Sequence, residues 1–136
     1  MSSLGNTTEN DIVKLLMNSV ALSGSWGNDL YVSLHTADPG EGGDQTTSET
    51  TYGSYARVAV TRNGSGGWTV TGNQAVNAAN IDFPTCTSGT ATITYAAIGL
   101  ASSGAGQIAA PAAVSLSVAT NTLPQIAAGQ ATFTMD

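Results

Sequence analysis

Charged residues are scarce. They make up 9% of the 136 positions, against roughly a quarter in ordinary soluble domains. Only Lys14, Arg57 and Arg62 are basic. Nucleic-acid binding needs several cations to neutralise phosphates, and attraction to an anionic membrane surface needs the same, so neither partner is expected. The single cysteine, Cys86, allows no internal disulfide and no cysteine-built zinc site, and its expected role is that of a small apolar filler. No apolar run approaches the ~20 residues of a membrane span. The opening Met1-Ser2-Ser3-Leu4-Gly5 lacks a basic stretch followed by an apolar one. A secretory signal is therefore not expected, and synthesis and assembly in a cytoplasm are. No repeat period and no linker divide the chain, which predicts one domain.

What fills the gap is Thr, Ser, Ala and 16 glycines, with a net charge of −6 and a hydrophobic share of 41%. That share predicts a folded chain rather than a disordered one. A surface of small hydroxyl-bearing and apolar residues suits packing against other protein, because few charges must be stripped of water. Closed cyclic symmetry is the usual arrangement for identical subunits, so a homotrimer is the expected state.

Residues 1–8 read as a flexible arm. A helix follows over 9–22, packed on the domain, its start capped by Asn6 with Glu9 or Thr8 with Asp11. Ile12, Val13, Leu15, Leu16 and Val20 make its apolar stripe, which must be covered by the domain or by a neighbouring subunit. Residues 29–136 read as short β-strands joined by turns. Leu30, Val32 and Leu34 alternate with Tyr31, Ser33 and His35, which predicts a half-buried strand with the histidine outward. Arg57 to Thr61 and Trp68 to Thr71, around Asn63-Gly64-Ser65-Gly66-Gly67, predict a hairpin. A bulge is expected near Ala96-Ala97 in the strand from Thr90 to Leu100. Ile108 and Val114 to Val118 read as separate strands. The fold class that follows is all-β: a jelly-roll-like antiparallel β-sandwich with one short N-terminal α-helix.

No constellation for catalysis emerges. His35 is the only histidine, and no G-x-S-x-G elbow accompanies the many serines. No enzymatic activity and no cofactor are expected. Asp38, Glu41 and Asp44 sit three apart in a Gly-rich loop, a spacing that could hold a hard cation but does not match an EF-hand; a solvated acidic loop is the expectation. Tyr52, Tyr55 and Arg57 follow closely. Tyr and Arg are favoured in protein interfaces, so Tyr52, Tyr55, Arg57, Asp38 and Glu41 form the candidate contact region, with a strand-end salt bridge as the alternative for the arginine.

The run Leu30-Tyr31-Val32-Ser33-Leu34-His35-Thr36-Ala37-Asp38-Pro39-Gly40-Glu41 is distinctive. With Tyr55-Ala56-Arg57-Val58-Ala59-Val60, Ala96-Ala97-Ile98-Gly99-Leu100 and the closing Ile126 to Phe133, it resembles small tailed-phage virion proteins. These are often labelled tail-fibre-like but are similar to capsid cement (decoration) proteins. The resemblance spans nearly the whole chain and carries over no functional residue. It implies a virion protein on the outer capsid surface that binds and stabilises the major capsid protein as a trimer. A tail-associated or fibre-base protein is the alternative. A host glycan-binding module using Trp26, Trp68 and the acidic loop is a third reading.

Overall fold

The computed structural model describes residues 4–24 and 26–135. The elements, in chain order, are α1 (Asn6–Asn18), β1 (Asp29–His35), β2 (Val58–Thr61), β3 (Trp68–Thr71), β4 (Gln74–Asn77), β5 (Ile81–Asp82), β6 (Ala91–Gly99), β7 (Ile108–Val118), β8 (Gln125–Ile126) and β9 (Thr132–Thr134). All strand pairs are antiparallel. A four-stranded sheet runs β2-β1-β6-β7, a three-stranded sheet β3-β4-β9, and β5 pairs with β8. The arrangement is sandwich-like. Leu30, Val32, Leu34, Ile93 and Ile98 from the larger sheet share one core with Trp68, Phe133, Ile81, Phe83 and Ile126. Trp68 and Phe133 meet edge to face, their ring centroids 5.7 Å apart.

Three local expectations give way to tertiary demands. The strands flanking the Asn63–Gly67 turn do not form a hairpin: β2 pairs with β1, and β3 pairs with β4. The five-residue turn carries the chain from one sheet to the other. The tight hairpin is the next one, where Gly72, at φ +62°, opens a two-residue turn into Asn73. β7 is a single strand of 11 residues across Pro111. It tolerates proline because it lies at the sheet edge, where one side of its backbone needs no ladder partner. The irregularities of the β6–β7 pair fall between Ile93 and Tyr95 and between Ile98 and Gly99, flanking Ala96-Ala97 rather than at it. In each, β7 supplies the extra residue.

The helix differs more. It begins at Asn6, three residues before the expected start, with Gly5 as its N-cap and no side-chain cap. Residues 6–8 of the expected arm are therefore helical, and residues 1–3 lie outside the described residues. The face that α1 turns to the domain is polar. Thr8 and Asp11 are its buried residues. The Thr8 hydroxyl donates to the Ile108 carbonyl (3.3 Å), Gln107 Nε2 donates to Thr8 Oγ1 (3.0 Å), and the Gly5 N–H donates to the Ala109 carbonyl (2.9 Å). Asp11 accepts the Ser23 N–H (2.9 Å) and the Ser23 hydroxyl, which hold its carboxyl below the usual carboxylate range. The helix thus docks by satisfying the open backbone of edge strand β7, a requirement that outweighs burial of its own apolar stripe. On a 100° wheel, Val13, Leu16 and Met17 lie roughly opposite Thr8 and Asp11. They are 59%, 76% and 77% exposed, and Val20 beyond the C-cap is 48% exposed. The chain alone leaves the stripe uncovered.

Candidate interaction surface

The long segment between β1 and β2 folds back against β1 and the β6–β7 turn, and three side chains hold it in place. It first returns alongside the end of β1: Thr36 N–H donates to Ser48 O and Thr50 N–H to Leu34 O, both at 2.9 Å. Glu49 then sits where it can accept a planar fork. Arg57 Nε donates to Glu49 Oε1 at 2.7 Å and Nη2 to Oε2 at 2.8 Å, the bidentate geometry in which a guanidinium matches a carboxylate best. The same guanidinium donates to the carbonyls of Ala101 (3.0 Å) and Gly104 (2.7 Å) in the β6–β7 turn. The two side chains are 3% and 15% exposed. The bond to Glu49 raises the Arg57 pKa, so the pair stays ionised. Tyr55 Oη donates to Glu49 Oε1 (2.7 Å) and accepts the Leu34 N–H (3.0 Å); burial pushes its phenol pKa upward.

Gln45 is the third anchor, and it is fully buried. Its Nε2 donates to Tyr31 O (3.0 Å) and its Oε1 accepts the Ala101 N–H (3.1 Å). It passes between Gly99 and Gly106, where a Cβ at either position would overlap its amide. Gln45, Glu49 and the two glycines carry no motif. Their role follows only from the loop folding back over the sheet, and sequence reasoning missed them.

Of the five expected contact residues, Tyr52, Tyr55 and Arg57 are used inside the chain. Tyr52 is 5% exposed, donates to Pro84 O (2.9 Å) and meets Tyr55 edge to face at 5.4 Å. Burial pushes its phenol pKa up to about 12. Asp38 and Glu41 are exposed at the rim. Asp38 accepts the Gly40 N–H (2.9 Å), a local turn bond, and the Glu41 carbonyl accepts the Asn6 N–H (3.0 Å) at the start of α1. Asp44 accepts the Thr46 N–H (2.7 Å) and hydroxyl, which lower its pKa. Among the described residues, no three His, Cys, Asp or Glu side chains gather as metal ligands. Cys86 is buried in the core.

His35 is not outward. It and Ser33 are both 0% exposed, because the returning loop covers the second face of β1. The Nδ1–H donates to Thr47 O (2.7 Å), which fixes the tautomer and lets Nε2 accept from the Ser33 hydroxyl (2.8 Å). Burial lowers the imidazole pKa below its usual 6.5. The unfolded chain therefore takes up this proton at a higher pH than the folded chain does. Below pH 6.5 stability should fall with a slope approaching about 1.4 kcal/mol per unit, until the folded pKa is reached; above 6.5 the group contributes no slope. Urea titrations between pH 7.5 and 5 check this. His35→Gln should flatten the slope in that window whatever it does to absolute stability, and an unchanged slope contradicts the assignment.

Two apolar surfaces remain. One is the outward stripe of α1. The other is a groove of about 630 Å³ between the two larger sheets, lined by Leu30, Trp68, Val70, Ile98 and Met135 with Arg62 at its rim. Val70 is 70% exposed, whereas Trp68 is 7% exposed. A ring so covered offers no stacking platform to a sugar. The Trp68 Nε1–H is buried without an acceptor, which costs about 1–3 kcal/mol. Arg62 lies 5.4 Å over the Trp26 ring and donates to Gly27 O (2.7 Å).

Residues 3–134 match a family of proteins described as Podophage GP4 fiber I protein gp80. Among curated proteins none matches the chain.

Proposed function

Because the chain belongs to the podophage GP4 fiber I protein gp80 family and is thus a structural protein of a phage particle, we propose that it acts by binding other virion subunits, as a homo-oligomer and without chemistry. The place on the particle that the family description favours is the fibre apparatus, with this domain as a compact attachment piece. The observation that carries a binding role is the α1 stripe. Val13, Leu16 and Met17 are more than half exposed in the isolated chain, and contiguous apolar surface of this kind marks protein contacts. A charge-poor surface around it lets a partner approach with little desolvation cost.

A capsid decoration role, clamping neighbouring copies of the major capsid protein from outside, is the second reading. It is favoured by the sandwich itself, in which one core gathers strands from the whole length of the domain and no extended shaft is built. Particles made without this protein separate the two. A fibre role predicts intact, heat-stable heads that adsorb at least tenfold less to the host. A decoration role predicts normal adsorption but DNA loss at milder heat or osmotic shock, restored by added protein. Copy number in purified particles, tens for a fibre and hundreds for a decoration protein, distinguishes them independently.

A further inference from the structure

We infer that the outward ridge of α1 in one copy seats in the groove between the sheets of a second copy, so that identical chains join head to tail. This rests on the homo-oligomer reading above and names the surfaces that would form it. The ridge is convex and apolar: Val13, Leu16 and Met17 follow i, i+3, i+4 spacing on the side of α1 turned away from its own domain, and Val20 lies just beyond the C-cap, 48% exposed. The groove is concave and apolar, with Val70 at its mouth and room for several side chains. Ridge residues exposed to this extent present on the order of 500 Å² per copy, more than half of the ~800 Å² per partner of a standard interface.

The polar ends match as well. The last carbonyls of an α-helix lack intrahelical donors and carry partial negative charge. α1 has no basic residue in its last turn to answer them. The groove rim offers Arg62, whose fork has one bond to Gly27 O and donors to spare. A ridge packed on a second ridge would leave those carbonyls without a cationic partner. Because ridge and groove are different patches, the contact is heterologous, and a rotation that closes produces a ring.

Light scattering on the purified chain tests this with two exposed substitutions, Leu16→Asp on the ridge and Val70→Arg at the groove mouth. Wild type should be oligomeric. Each variant alone should keep the wild-type circular dichroism spectrum and run as a monomer, with association weakened at least tenfold. A one-to-one mixture should form dimers, because one variant retains a sound groove and the other a sound ridge. Met17→Lys and Thr69→Arg replace either variant if it fails to fold. An oligomer that survives the groove substitutions, or a mixture that stays monomeric, overturns the ridge-in-groove contact and leaves the homo-oligomer reading standing. A wild-type chain that stays monomeric at high concentration overturns both.

Discussion

Arg57→Ala should lower folding stability by about 3–5 kcal/mol, the cost of breaking a buried ion pair from one side. The size follows from what is stranded. Glu49 would keep its charge in a site where its carboxylate is 15% exposed, with only the Tyr55 hydroxyl still donating to it. The Ala101 carbonyl would lose its Arg57 donor at the same time, and the Gly104 carbonyl would keep only the Gly106 N–H. Three segments, the loop after β1, the approach to β2 and the β6–β7 turn, converge on this guanidinium and would separate together. Arg57→Lys should recover only part of the loss, because an ammonium cannot span both carboxylate oxygens and two carbonyls in one plane. Thermal melts should show a fall on the order of 10–20 °C for the alanine variant. Arg62→Ala, which removes an exposed guanidinium, should cost under about 1 kcal/mol. Equal effects at the two arginines would contradict the assignment.

Gly99→Ala should lower folding stability by about 2–6 kcal/mol. Forcing a methyl group into a packed interior costs about 1–3 kcal/mol, and displacing a buried, hydrogen-bonded amide adds about 1–3 kcal/mol. The new Cβ would overlap the Gln45 amide, which Gly106 confines from another side. The side chain has nowhere to go without releasing Tyr31 O and the Ala101 N–H. A double-mutant cycle with Gln45→Ala isolates the clash. Once the amide is gone the glycine substitution should cost little, giving a coupling energy above about 1 kcal/mol. Purely additive effects would show that Gly99 is needed for some other reason.

The class of fold was legible because strand alternation and turn residues are local signals. The β1 alternation and the small polar turns locate most strands directly. Misreadings arose where a second layer intervened. Period-two alternation assigns Tyr31, Ser33 and His35 to the outer face of β1, and geometry agrees. Nothing in the alternation reveals that the following loop returns to cover that face. The α1 stripe was legible as a stripe but not in direction, because docking was decided by the backbone of β7 together with Thr8 and Asp11. Tyr55 and Arg57 stood out by residue type, yet their partner Glu49 looked like one more loop carboxylate. Only the three-dimensional return of the loop makes it the centre of the network.

The pairing of β1 with β6 sets a kinetic condition. Tyr31 lies opposite Gly99, so the centre of the larger sheet joins the two halves of the chain. Such contacts reward the chain only after a long closure entropy has been met, which places folding in the slower, millisecond-to-second regime of β-rich domains. Until β6 arrives, β1 can pair only on its β2 side, and the Arg57 staple cannot be completed because its carbonyl acceptors, Ala101 and Gly104, lie beyond β6. The chain therefore passes through a stage in which strand edges can pair between molecules.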